Sequence, residues 1–335
     1  MSVVKSKNIV WIDVQKVICM MIVYFYHTEG RFGMNNEYFH SYFFPFYVNS
    51  FFFISGYLLF RSHASQDKVL LSSTEWYNAS GKRMLMNIIF RIVIPTIFFS
   101  FIIFFPKCVL RGNGIQVSSL ISATLLGGGF WFTSALAVAE LIFFVLFVLK
   151  RSSFLLLTVM SLVIAFWGWM MPYEIEGGYI WEYQKAMTAV PYIMAGGWLY
   201  KYEPKVEKYL NSYWTAFVLI VIYVILVETY PTGNPIRKVF YYVMALTSII
   251  SLSVLCRKLP YSNLIRQIGS WTLGLYFFSG ALPELFYILL FRKLAIPLHF
   301  GILLDATLSF FVATILVYGL NKYASFIFDI SKLKN

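Results

Sequence analysis

The chain has 335 residues, of which 59% are apolar and 13% charged, and a formal net charge of +12. A soluble domain carries about 45–50% apolar and about 25% charged residues, so this balance excludes a water-soluble globular protein. The excess of Lys and Arg does not indicate a nucleic-acid partner, because basic residues of a membrane protein gather in cytoplasmic loops and against anionic lipid.

A helix needs about 20 mostly apolar residues to cross hydrocarbon. Ten runs meet that test, at 9–27, 41–60, 84–106, 125–149, 154–171, 186–200, 213–230, 237–255, 271–291 and 299–320. The expected fold is therefore an all-α integral membrane bundle of ten transmembrane helices, forming one domain over 1–335. Lys5 and Lys7 precede the first run, but Asp13 and Lys16 interrupt it and no small-x-small cleavage site follows. It reads as a retained anchor rather than a signal peptide. Within 120–135, Gly127, Gly128 and Gly129 suit either the start of a span or a re-entrant turn. With the N-terminus inside, cytoplasmic segments hold 17 Lys and Arg and outer segments hold 8, so both termini are expected in the cytoplasm. All loops are short, so any site must lie within the bundle or at its surfaces. Cys19, Cys108 and Cys256 make no CxxC pair and read as core thiols. No metal motif is present.

An ionisable side chain at the centre of a membrane helix costs about 2.5–3.5 kcal/mol or more, so each one needs a reason. The first run holds Asp13, Lys16 and His27. Asp13 and Lys16 are three apart and able to pair. His27 lies eleven residues beyond Lys16, about 16 Å along the axis and on nearly the same face. Taken alone, a histidine in this place is more often an interfacial hydrogen-bonder than a catalyst; the alignment of His27 with Lys16 favours a functional role. Ser55-Gly56 in the bulky run 51–60 is either a packing notch or a polar contact across an interface. Arg91, one turn before Pro95, lies too deep for snorkelling and suits a phosphate. Glu140 and Glu284 lie within the fourth and ninth runs, placed to orient His27, to bind sugar hydroxyls, or to pair within the bundle. Glu228 and Asp305, nearer run ends, are expected to face water. Trp131, Trp167, Trp169, Trp181 and Tyr183 serve either as an aromatic belt or as sugar-stacking faces. The outer segment 172–183, with Glu174, Glu176 and Gly177-Gly178, is a candidate acceptor-side loop.

Together these features resemble the acyltransferase 3 family of multi-pass membrane O-acyltransferases that modify cell-surface glycans. The resemblance is carried by Ile12-Asp13 with Lys16-x10-His27, by Phe52-Phe53-Ile54-Ser55-Gly56-Tyr57-Leu58, and by Arg83 through Arg91 and Pro95. Phe130-Trp131-Phe132 with Ala135-Leu136, and Gly269-x-x-Thr272-Leu273-Gly274-Leu275-Tyr276, add to it. It spans nearly the whole chain in order. Where many members carry a second histidine, this chain has Ser279, and its third-helix arginines are respaced.

The resemblance implies transfer of an acyl group, acetyl by default, from cytoplasmic acyl-CoA to a sugar hydroxyl of a surface polysaccharide or its lipid-linked precursor. It places the protein in the inner or plasma membrane, among lipids. Acyl-CoA is then a co-substrate, with no permanently bound cofactor. His27 is the expected base, with Asp13 pairing or orienting Lys16; Lys16, Arg83 and Arg91 hold the CoA phosphates. Ser55, Glu140, Trp131 and Glu284 are the acceptor or orienting candidates. A competing reading is a transporter or flippase of a lipid-linked sugar, with the intramembrane charges as its path. The sequence does not choose the acyl group, the acceptor or the oligomeric state.

Overall fold

Hydrocarbon offers backbone amides no partner, so a chain entering it must satisfy its own hydrogen bonds, and a helix does so within one segment. In the computed structural model, which describes residues 9–34, 37–112, 114–150, 153–172, 178–230, 237–294 and 296–334, the apolar runs form helices, and no strand occurs among the described residues. Lys5, Lys7, Arg151, Glu174, Glu176 and Gly177 lie outside them.

The helices in chain order are α1 (Val10–Arg31), α2 (Glu37–Tyr47), α3 (Asn49–His63), α4 (Ser73–Arg111), α5 (Val117–Thr124), α6 (Trp131–Lys150), α7 (Phe154–Met170), α8 (Tyr183–Leu210), α9 (Tyr213–Glu228) and α10 (Arg237–Cys256). They continue with α11 (Asn263–Ser270), α12 (Thr272–Phe278), α13 (Ala281–Leu289) and α14 (Leu298–Tyr323). Six segments are long and apolar enough to cross a membrane: α1, Ser41–His63, α4, Trp131–Leu149, α10 and α14. Two pairs pass together but are bent, Ile180–Leu210 with Tyr213–Glu228 by 104° and Thr272–Phe278 with Ala281–Lys293 by 41°. The structure therefore gives six to eight spans by length and composition, against the ten that hydropathy suggests. The difference arises because the runs 186–200 and 213–230 fall in one bent pair, the run 271–291 is broken at Ser279-Gly280 and passes only as a pair, and the run 154–171 forms the shorter, 17-residue α7. The 120–135 stretch is not itself a span. α5 has eight residues, and the chain then turns through Gly127 (φ 78°) to begin α6 at Trp131. That turn is anchored by the Trp181 N–H donating to Leu126 O at 2.7 Å.

Two local departures from regular helix shape the interior. In α4, Pro95 has no N–H to give, and just before it the ladder slips to a π turn over Ile89–Val93, with Ile94 N–H reaching Ile89 O. Arg91 sits in that widened turn. Near the other end of the chain, α12 stops at Phe278 and α13 resumes at Ala281.

Packing follows the small residues. α3 and α8 run against each other so closely that a Cβ on Gly56 would lie 1.9 Å from Ile193 O, and one on Gly196 would lie 2.0 Å from Phe53 O. The Ser55-Gly56 notch is thus a close backbone crossing, with Gly196-Gly197 as its counterpart. α1 packs against α14, α11, α10 and α13. The buried Gln15 ties three helices together: its Nε2 donates to Ser50 Oγ at 3.2 Å, and Ser253 Oγ donates to its Oε1 at 2.8 Å. Cys19 and Cys256 are buried, and Cys108 is partly so.

Candidate active site

α1 presents its two functional candidates to two different cavities. Lys16 lines one of about 370 Å³, with Ser55, His63, Arg91 and Glu140 among its walls. His27 lines another of about 670 Å³, with Trp131, Lys185, Arg237 and Lys238. Tyr276 of α12 belongs to both. Its hydroxyl oxygen accepts from the Phe132 N–H at 3.3 Å, and its ring meets the edges of Phe130 and Phe132 at 5.8 and 5.1 Å. One aromatic side chain thus stands at the junction of the Lys16 and His27 chambers.

His27 is half-buried, and its face is open to the larger cavity. Tyr26 packs beside its ring at 5.6 Å. Opposite it lies the break between α12 and α13, where a Cβ on Gly280 would come to 4.0 Å from His27 Cε1. The helix interruption leaves the imidazole room. Ser279, at the position of the family's second histidine, is buried and donates its hydroxyl to Tyr276 O at 2.8 Å. Among the described residues, neither nitrogen of His27 has a hydrogen-bond partner, so no carboxylate orients this imidazole.

In the smaller cavity Ser55 Oγ donates to Glu140 Oε1 at 2.5 Å. Arg91 Nε is held by Asp329 Oδ2 at 2.9 Å, which leaves its Nη groups directed away from that bond. His63, at the end of α3 and without a signal in the sequence, also lines this cavity, with Nδ1 2.7 Å from Ser80 Oγ.

Three expected site residues line neither cavity. Asp13 makes no direct salt bridge with Lys16 among the described residues. It faces α11, where its backbone touches Gly269, and its carboxylate accepts from the Tyr261 hydroxyl at 3.3 Å. Tyr261, between α10 and α11, has its pKa raised by burial and by the Asp13 charge, so it keeps the proton it donates. Lys16 turns the other way, into the cavity. Arg83 is exposed on α4. Glu284 is buried and clamped by two cations: Arg31 Nη2 at 2.9 Å, and Arg111 through Nε at 2.6 Å and Nη2 at 3.0 Å. It is neither an acceptor group in the cavity nor a partner of Arg91. Asp305, expected to face water, is fully buried and accepts from Ser309 Oγ at 2.9 Å, because its face of α14 packs inward. Glu228 is exposed, as its place near a helix end suggests, and accepts from the Tyr42 hydroxyl.

Sequence reasoning also missed the pairing of Arg257 Nη2 with Glu203 Oε1 at 2.6 Å, where the Tyr57 hydroxyl donates to the same carboxylate. Its residues are far apart in the chain, and no local spacing signals them. Among the described residues no group of His, Cys, Asp and Glu could hold a metal ion.

Apolar helices fit to cross a membrane, enclosing two chambers that carry a few charged side chains each, mark a multi-pass membrane protein. The chain belongs to the acyltransferase 3 family: that family's model, described as an acyltransferase domain, matches residues 9–322. No curated protein and no solved structure matches the chain.

Proposed function

We propose that this acyltransferase moves an acyl group, acetyl in the simplest case, from cytoplasmic acyl-CoA to a sugar hydroxyl of a surface polysaccharide or its lipid-linked precursor, in the inner or plasma membrane. The observation that supports this most directly is the pair of chambers sharing Tyr276, one holding Lys16 and Arg91 and the other His27. Both termini face the cytoplasm in this reading, following the bias of basic residues. The Lys16 chamber then opens toward the side where acyl-CoA exists. Lys16 and the Nη groups of Arg91 bind the CoA phosphates, with Arg83 guiding the approach from the surface. Ser55 and Glu140, joined by their hydrogen bond, line the path of the pantetheine arm.

The thioester reaches the Tyr276 junction, and the acceptor hydroxyl enters from the His27 side, stacked against Trp131. A neutral His27 takes the hydroxyl proton as the oxygen attacks the thioester carbonyl carbon. The carbon–sulfur bond breaks, the new ester forms, and the CoA thiolate leaves with the proton returned by the imidazolium. With serine at 279, this proton transfer rests on His27 alone. Asp13 acts at a distance through the fold of α1 against α11, and Glu284 holds the end of α1 in place through Arg31.

The test is acyl-CoA binding and turnover by purified protein with a surface glycan as acceptor. Acyl-CoA binding that Lys16→Ala weakens, with ester formed on the sugar, is the expected result. Absence of acyl-CoA binding alongside intact movement of a lipid-linked sugar would overturn the proposal in favour of transport.

A further inference from the structure

We infer that the acceptor bound in the His27 chamber carries a negative charge close to the sugar that is acylated. This inference rests on the reading of that chamber as the acceptor site. Three cations, Lys185, Arg237 and Lys238, line the chamber, and none of its described lining residues is a carboxylate. Lys185 is already matched: it pairs with Glu182 at 2.9 Å and lies over the Trp131 ring at 5.1 Å. Lys238 donates to the Trp169 carbonyl oxygen at 2.7 Å, a bond that places its ammonium without neutralising it. Arg237 has no carboxylate partner among the described residues.

The position of these two cations adds to the argument. Arg237 and Lys238 open the 20-residue α10, and no acidic residue stands in its first turn. The positive end of a helix macrodipole disfavours cations there and favours anions. A bound anion offsets both the helix end and the two side chains. A second, independent feature points the same way. Tyr192 lines this chamber, the residue is 3% exposed, and its buried hydroxyl oxygen has no hydrogen-bond partner. Buried hydroxyls are almost always satisfied, so an unpartnered one in the wall of this chamber points to a partner that arrives with the ligand. The Tyr192 ring stacks on Tyr242 at 4.9 Å, which restrains the side chain.

The charge can be the carboxylate of an acidic sugar or the diphosphate of a lipid carrier, and the same cations serve either. The experiment uses full-length protein in nanodiscs with acetyl-CoA and three acceptors: trigalacturonate, a neutral hexose trisaccharide, and a polyprenyl-diphosphate-linked neutral hexose. Binding of each is measured alongside transfer. At least one anionic acceptor should bind and react about tenfold better than the neutral one, and which of the two does so names the source of the charge. Replacing Arg237 and Lys238 together by Gln should raise the acceptor KM about tenfold, leave the acetyl-CoA KM unchanged and erase the preference. Tyr192→Phe should raise the same KM without touching the donor. Equal use of neutral and anionic acceptors by the wild type, or equal losses for both in the Gln variant, would overturn the inference while leaving acyl transfer in place. Tight anionic binding without any turnover would instead count against the transfer reading and leave the charged acceptor standing.

Discussion

Lys16 and His27 stand on one helix, eleven residues and about 16 Å apart, yet they line two chambers that share Tyr276. A straight helix thereby links a cation suited to phosphate with an imidazole suited to a hydroxyl. Removing the charge at Lys16 should weaken donor binding and spare the chemical step. Lys16→Ala is expected to raise the acyl-CoA KM roughly 10- to 100-fold, the worth of a charge-assisted hydrogen bond, with a much smaller change in kcat. Steady-state kinetics at saturating acceptor check this, and an unchanged donor KM would count against it.

Gly280 should tolerate a methyl group and reject anything larger. A Cβ there makes ordinary contact with His27 Cε1 at 4.0 Å, and the backbone is in the right-handed region with φ −95°. Gly280→Ala is predicted to retain most activity. Gly280→Leu should lower kcat by at least about tenfold by pushing the imidazole off its position, with thermal stability nearly unchanged.

The crossing of α3 and α8 predicts a different phenotype. At Gly56 a methyl group would meet the Ile193 carbonyl oxygen at 1.9 Å, so the helices must separate to admit it. Gly56→Ala should destabilise the protein by about 1–3 kcal/mol or more, and Gly196→Ala likewise. Thermal unfolding in detergent reads this directly; a variant with wild-type Tm and low activity would place Gly56 in the chemistry instead.

The buried Glu284 holds Arg31 of α1 and Arg111 of α4 together. Glu284→Ala leaves two cations facing each other without a counter-charge. It should lower stability by roughly 2–4 kcal/mol, below the full worth of a buried pair because both arginines are partly exposed. Unfolding scans of the variant, with Glu284→Asp as a partial rescue, test this.

Much of this arrangement was legible in the sequence, and the physical reason is periodicity. The apolar runs, the Lys16–His27 spacing and the Ser55-Gly56 notch are local patterns, and each stands in the structure where a helix must put it. Hydropathy does not register a bend such as the one between Leu210 and Tyr213 or a segment as short as α7, so the ten runs stand against six to eight segments that pass by length and composition. A spacing of three lets Asp13 and Lys16 interact, but it does not foretell that tertiary packing also sets Asp13 against Gly269 and Tyr261. What joins distant segments was not legible at all. The Glu284 clamp, the Gln15 network, His63 beside Ser80 and the double duty of Tyr276 depend on which helices meet, and one sequence does not say.

A base must be neutral to accept a proton. Log kcat/KM is therefore expected to fall by about one unit per pH unit below the titration of the imidazole and to level off above it. A kcat/KM that rises steadily as the pH falls would contradict a neutral imidazole base.

The central claim is that His27 is the base for acyl transfer, and its most direct measurement is acyl-CoA-dependent ester formation by purified wild type and His27→Ala at equal folded concentration. The account predicts a loss of about 10²–10⁴-fold in kcat for the variant, with acyl-CoA binding and Tm preserved. Turnover by His27→Ala at the wild-type rate would contradict it.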